Sequence, residues 1–290
     1  MSDVATRSIA LRSGAQMPML GLGTYKLGAE GSDSLAADRA ALETALELGY
    51  RHIDTATAYH NEPFLGGVLD GSGVDRAELF LTSKLRNADH AEGEWRGALE
   101  RSLEALRTDY LDLYMIHWPL PDHDLYLSAY AELARARDEG LIRDVGVANF
   151  LAPHLDRLVS ETGEAPAVDQ IEFHPSWHNP DTVASCAELG VAVEAYSPLS
   201  RGADFGAEPV AAAASAHGVP ASQVVLAWAL QQGVSVIPKS ANPERLAENF
   251  AVADTTPPFE LSAEEIAAIS ALEGQNQIGH DPNTYAGMQR

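Results

Sequence analysis

Short, mostly apolar runs recur along this 290-residue chain, roughly one strand-plus-helix apart, and each runs into a polar residue. The runs Tyr50–Ile53, Glu78–Ser83, Leu111–Ile116, Asp144–Ala148, Ala167–Asp169, Val191–Ala195 and Val234–Pro238 lead into Asp54, Lys84, His117, Asn149, Gln170, Tyr196 and Lys239. Most have the pattern of parallel strands buried on both faces. Between them, apolar residues return at helical spacing. Leu35, Leu42, Ala45 and Leu46 share a face that stops at Gly49; Trp95, Leu99, Leu103 and Leu106 share another; Leu127, Tyr130, Leu133 and Ala134 form a third, ending near Gly140. Parallel strands need such crossovers. The alternation therefore predicts an α/β chain folded as a (β/α)8 TIM barrel, with eight strands from Met17–Gly21 to Val234–Pro238. Thr6–Pro18 reads as an N-terminal β-hairpin turning at Ser13-Gly14, and Gly274–Arg290 as a loop tail. No linker of shifted composition and no low-complexity run interrupts the pattern, so residues 1–290 are expected to form one domain.

A barrel of this kind gathers the ends of its strands on one face, and that face carries the chemistry. The polar residues from Asp54 to Lys239 are thus expected in one pocket. Composition narrows what that pocket serves. Apolar residues make up 46%, enough for a large core, yet no stretch approaches the roughly 18 apolar residues of a membrane span. Met1–Ser13 lacks an apolar signal core, so a cytoplasmic location is expected. A net charge of −23 opposes nonspecific binding to nucleic acid or anionic membrane. The acidic surface fits a salty cytoplasm and a high-GC genome equally well. Cys186, the one cysteine, falls in an expected helix and reads as a small buried residue, not a nucleophile. With no long exposed apolar stripe, a monomer is expected. The only lysines are Lys26, Lys84 and Lys239, so two of the three belong to the strand-end set and are unlike surface filler.

Asp54, Tyr59, Lys84 and His117 make a coherent chemical group. A free phenol, with a pKa of about 10, exchanges protons poorly at neutral pH. An ammonium beside it favours the phenolate and lowers that value. Lys84 can supply the ammonium, Asp54 can hold Lys84 charged and in place, and His117 can hydrogen-bond a carbonyl oxygen. Together they form a proton donor and an oxyanion site suited to reducing C=O, with a small-molecule carbonyl as the expected partner and no metal.

The same residues resemble the aldo-keto reductase family. The stretch Gly49-Tyr50-Arg51-His52-Ile53-Asp54-Thr55-Ala56, then Tyr59-His60-Asn61-Glu62 and Leu65-Gly66, is similar to its first signature. Leu81-Thr82-Ser83-Lys84, Ile116-His117-Trp118-Pro119, Val145-Gly146-Val147-Ala148-Asn149-Phe150, Gln170-Ile171-Glu172, Tyr196-Ser197-Pro198-Leu199 and Ile237-Pro238-Lys239-Ser240 follow in the family's order, with Arg245 and Glu248-Asn249 completing the last motif. The likeness runs from about Leu11 to Tyr285 and points to the bacterial branch acting on small aldehydes, keto esters and keto sugars, such as 2,5-diketo-D-gluconate reductases. It implies that Tyr59 is the general acid, tuned by Lys84 and Asp54, with His117 orienting the carbonyl. It implies NADPH as cofactor. Tyr196 would stack on the nicotinamide, Asn149 and Gln170 would hold its carboxamide, and Ser197, Leu199 and Ser200 would line the pyrophosphate path. Lys239, Ser240 and Arg245 would hold the 2′-phosphate, and Glu248 and Asn249 the adenine. Barrel phosphate sites favour the loops after strands seven and eight and a helix N-terminus, which agrees.

Two positions depart from the family pattern. Ala148 stands where Ser or Cys is usual, removing one hydroxyl contact worth ~1 kcal/mol of cofactor orientation. Arg86 stands where many relatives have Trp. It either lines the pocket and favours polar or carboxylate-bearing carbonyls, or pairs with Asp89 or points to water. Tyr25 and Trp118 match aromatic wall residues, and Gln275–Tyr285 matches a substrate-covering C-terminal loop whose Gly-His-Asp-Pro core reads as mobile. Rival readings are weaker. His52 and Asp54 alternate as some metal ligands do, but further ligands are missing at the other strand ends. Gly21-Leu22-Gly23 is only half of a dinucleotide fingerprint. A regulatory protein that binds NADPH as a redox sensor on the same fold stays open until turnover is measured.

Overall fold

The computed structural model describes residues 7–29, 34–91, 93–254 and 256–288. Thr6, where the hairpin was expected to begin, and the last two residues of the tail lie outside them. The hairpin pairs β1 (Ser8–Ala10) with β2 (Gln16–Pro18), Ile9 opposite Met17. Eight parallel strands follow: β3 (Gly21–Gly23), β4 (His52–Asp54), β5 (Phe80–Leu85), β6 (Leu111–Ile116), β7 (Ile142–Ala148), β8 (Val168–Glu172), β9 (Ala192–Tyr196) and β10 (Ser235–Val236). Each pairs with the next in chain order. The Leu20–Val236 bridge and the Val236 N–H to Met19 carbonyl bond of 2.8 Å bring the first and last strands together. This is the predicted (β/α)8 barrel with its N-terminal hairpin.

The crossovers are α1 (Leu35–Leu48), α2 (Glu62–Gly71), α3 (Glu94–Leu106), α4 (Tyr126–Asp138), α5 (Ala152–Thr162), α6 (Pro180–Leu189), α7 (Glu208–His217) and α8 (Ala221–Gln231); α9 (Pro243–Ala251) and α10 (Ala263–Ser270) close the ring. Gly49 ends α1 at φ 107°, a left-handed conformation that costs glycine nothing. Among the described residues no single helix is long and apolar enough to cross a membrane. Leu42, Ala45 and Leu46 face the core as expected, but Leu35, in the first turn, is exposed.

The first barrel strand is not Met17–Gly21. Met17 belongs to the hairpin and packs with Leu11, Phe80, Leu113, Met115 and Val168 in an apolar cluster of its own. The first barrel strand is β3, where the neighbours approach so closely that only glycine fits at Gly21 and Gly23. A Cβ on Gly21 would lie 2.9 Å from the His52 ring and Ile237, and one on Gly23 would lie 2.5 Å from the Ile237 carbonyl oxygen. Gly21-Leu22-Gly23 thus serves strand closure.

Candidate active site

Asp54 closes β4, and Lys84 sits inside β5 rather than beyond it. The Lys84 Nζ donates to both Asp54 oxygens, at 2.8 and 2.6 Å, and to the Thr55 carbonyl at 2.9 Å. Both side chains are buried, Lys84 completely. Burial alone would strip the ammonium of its proton. The charge of Asp54 and its direct hydrogen bond outweigh that and hold the lysine pKa above its ordinary value. Asp54 is held in turn by Gln170, whose amide nitrogen donates to Asp54 Oδ2 at 2.9 Å and to Glu194 Oε2 at 2.5 Å. Glu194, fully buried, also faces His52 Nε2 at 3.5 Å and accepts from Ser235 at 3.4 Å. Sequence reasoning missed Glu194, although a carboxylate inside the otherwise apolar run Val191–Ala195 was the available signal.

Tyr59 stands on a 3-10 turn, Thr57–Tyr59, that follows β4 and ends at His60 with φ 54°. Asn61 staples this turn to the loop after β3: it accepts from Thr55 at 2.7 Å and donates to the Thr24 and Leu27 carbonyls at 2.9 and 2.8 Å. The Tyr59 ring meets Tyr25 edge-on at 5.1 Å and His117 at 5.8 Å, and Lys84 Nζ lies 5.3 Å from its centroid. Its pKa runs opposite to the expectation. Burial pushes the phenol up and the Asp54 charge adds to this, while Lys84 pulls down without winning. A tyrosine so placed keeps its proton in the resting protein. His117, just past β6, is pushed well below the usual histidine range by burial, then by Lys84 and His90, so it is neutral. Its Nδ1 makes no hydrogen bond among the described residues.

The residues expected to hold a cofactor lie at or after the ends of β7, β8, β9 and β10. Asn149 adopts φ 63°, donates to the His117 carbonyl at 2.9 Å and accepts from the Tyr196 hydroxyl at 2.8 Å. Beyond β9, Ser197 and Ser200 are left-handed at φ 50° and 46°, with Leu199 between them, and the Ser200 hydroxyl accepts from the Asp204 N–H at 3.0 Å. Past β10, Lys239 is exposed and Ser240 buried, the Ser240 hydroxyl accepting from Asn242 N–H at 3.1 Å. Asn242 caps α9 by accepting from Arg245 N–H at 3.0 Å. Arg245 and Glu248 are exposed on α9, and Asn249 is buried. Among the described residues neither Lys239 nor Arg245 shows an ion-pair partner. Arg245, in the first turn of α9, suits a phosphate at that N-terminus.

Of the expected pocket walls, Tyr25 is exposed beside Tyr59, and Trp118 is buried against Tyr285 at 4.2 Å and His280 at 6.2 Å. Arg86 is held by Asp89 through two bonds of 2.5 and 3.2 Å, so of its two readings the geometry shows the pairing. Within the tail His280 stacks on Tyr285 at 4.7 Å, and Asn87 donates to the Gly287 carbonyl at 2.6 Å. A cleft of about 270 Å³ lies between the tail residues Gln277, His280 and Asp281 and the barrel residues Asn149, Glu172 and Tyr196. Cys186 is buried, and burial raises its thiol.

This arrangement, a buried lysine–carboxylate pair beneath a protonated tyrosine with a neutral histidine alongside at the mouth of a parallel barrel, defines a class of barrel oxidoreductase. The family model for the aldo/keto reductase family matches residues 19–273. The chain is 43% identical over 279 residues to a Yersinia pestis protein named methylglyoxal reductase DkgA, covering 96% of each chain. It is 42% identical over 277 residues to a Mycolicibacterium smegmatis aldo-keto reductase, covering 96% of this chain and 97% of that one. A Bombyx mori aldo-keto reductase solved in complex with NADP superposes with a TM-score of 0.87 at 36% identity, covering 99% of this chain and 100% of the other. The chain belongs to the aldo/keto reductase family.

Proposed function

We propose that the protein reduces small aldehydes or ketones to alcohols with NADPH, and that Tyr59 donates the proton. The observation that carries this reading is the fully buried Lys84, clamped by Asp54 below the Tyr59 ring. The nucleotide, when bound, supplies the hydride from its nicotinamide C4. Tyr196 would lie beneath that ring, with Asn149 and Gln170 taking the carboxamide; Gln170 has its amide nitrogen occupied by Asp54 and Glu194, which leaves its oxygen as the acceptor. Ser197, Leu199 and Ser200 would follow the pyrophosphate, Lys239, Ser240 and Arg245 the 2′-phosphate, and Glu248 and Asn249 the adenine.

Neutral His117 has one N–H to donate to the carbonyl oxygen, and Tyr59 gives that oxygen its proton as charge develops there. The phenolate left behind faces the Lys84 ammonium, whose charge Asp54 maintains; solvent returns the proton at the mouth, where Tyr59 is only partly buried. Tyr25 and Trp118 supply aromatic walls. The Yersinia relative's name, methylglyoxal reductase, supports a small reactive carbonyl as the substrate class. Titrating the purified protein with NADPH and NADH by tryptophan fluorescence, then adding carbonyl compounds and following cofactor absorbance, tests the reading. NADPH-selective binding and carbonyl-dependent oxidation are expected. Binding of neither nucleotide overturns it.

A further inference from the structure

Glu172, at the end of β8, contacts neither Lys84 nor Tyr59, yet it is almost wholly buried at the edge of the cleft. Its carboxylate faces the C-terminal tail. Oε1 accepts from Ile278 N–H at 2.6 Å and Oε2 from Gly279 N–H at 2.7 Å. Behind it, His174 Nε2 lies 2.9 Å from Oε1, and His174 Nδ1 lies 3.2 Å from Asp204 Oδ2. Asp204 is fixed by the Ser176 hydroxyl at 2.6 Å and belongs to the loop that also holds Ser200. For both ring nitrogens to donate to carboxylates, His174 must carry two protons. Successive backbone N–H groups of the tail thus close on a carboxylate backed by the His174 ring.

Gly279 belongs to the same device. A Cβ there would lie 2.6 Å from Glu172 Oε2 and 2.9 Å from the Tyr196 hydroxyl. The tail backbone is therefore seated between Glu172 and Tyr196, and the next residue, His280, starts the aromatic wall with Tyr285 and Trp118. We propose that Glu172 is a specificity-determining positioning residue: by gripping Ile278 and Gly279 it sets the tail, and with it the His280–Tyr285–Trp118 wall, at the distance from the barrel mouth that decides which carbonyl compounds fit. The proposal rests on the reading of the cleft as a carbonyl-reduction site.

The test compares the full-length wild type with Glu172→Gln, Glu172→Ala, Gly279→Ala and the double Glu172→Ala/Gly279→Ala variant. Charge-assisted hydrogen bonds shift an equilibrium by roughly 10- to 100-fold, and hydrogen-exchange protection of Ile278 and Gly279 should fall by that order in the alanine variants. In Glu172→Ala the preference for small over bulky aldehydes should relax through KM more than through kcat. Glu172→Gln, which keeps one acceptor oxygen, should fall between wild type and Glu172→Ala. Gly279→Ala displaces the tail with Glu172 intact, so it should reproduce the KM change, and the double variant should be no worse than the worse single one. Unchanged protection in Glu172→Ala, an unchanged aldehyde preference, or additive effects would overturn the proposal. A wild type that binds NADPH but turns over no carbonyl would instead remove the functional reading and the specificity role with it, while the exchange data still decide whether Glu172 grips the tail.

Discussion

Replacing Asp54 with Asn leaves Lys84 in a fully buried site without its counter-charge. Lys84 then has two options. It keeps its proton and bears the cost of an unpaired buried charge, about 3–5 kcal/mol when one partner of a buried pair is removed. Or it gives the proton up, which costs about 1.36 kcal/mol for each pH unit below its ordinary pKa of about 10.4. The second route sets a ceiling of about 4.6 kcal/mol at pH 7 and about 2 kcal/mol at pH 9. The sign differs between the proteins. In the wild type the lysine pKa is raised on folding, so its contribution is complete below the unfolded value and is lost only as pH climbs through the folded one. In the variant the folded pKa drops below the unfolded one, so the penalty shrinks as pH rises. Urea unfolding of both proteins at pH 7, 8 and 9 reads this directly. A penalty of about 3 to 4.6 kcal/mol at pH 7 that falls toward about 2 by pH 9 is expected. A loss below about 1 kcal/mol at pH 7, or a loss independent of pH, would refute the view of Lys84 as a buried charge held by Asp54.

Lys239→Met should weaken NADPH by the roughly 10- to 100-fold of a charge-assisted contact and leave NADH nearly unchanged, measured by fluorescence titration; equal loss of both would remove the 2′-phosphate assignment. His174 is pulled down by burial, but its bonds to Asp204 and Glu172 prevail and raise its pKa. Its stabilising contribution is therefore full below the ordinary histidine value and is lost as pH rises through the raised one, so melting curves of wild type and His174→Gln should converge on the alkaline side. A gap that stays constant with pH would show that the two carboxylates do not hold an imidazolium. Gly23→Ala places a Cβ 2.5 Å from the Ile237 carbonyl oxygen and should cost about 1–3 kcal/mol in urea unfolding; a neutral effect would contradict the close strand approach.

The barrel was legible because buried parallel strands leave apolar runs, and a polar residue within or just after one has few reasons to be there except the pocket. That logic pointed to Asp54, Lys84 and His117 as a set, where any one of them alone would have read as a satisfied barrel-end residue. It blurred where runs touch: Met17 and Gly21 lie in one apolar stretch, and only the hairpin pairing of Met17 with Ile9 separates them. The direction of the Tyr59 pKa was not legible, since a neighbouring lysine is visible in sequence and the desolvation of the hydroxyl that outweighs it is not. Arg86 was undecided for a similar reason, because Asp89 three residues on is a partner only if the turn at Asn87–Asp89 forms. The Glu172–His174–Asp204 chain was invisible as a unit. Its first two members flank an apolar Phe173, and its purpose appears only when a tail more than a hundred residues later folds onto it.

The most direct test of proton donation is the turnover of Tyr59→Phe, which keeps the ring and removes only the hydroxyl. Carbonyl reduction is expected to fall by roughly 10²–10⁴-fold with NADPH binding intact. A fully active Tyr59→Phe enzyme would contradict it.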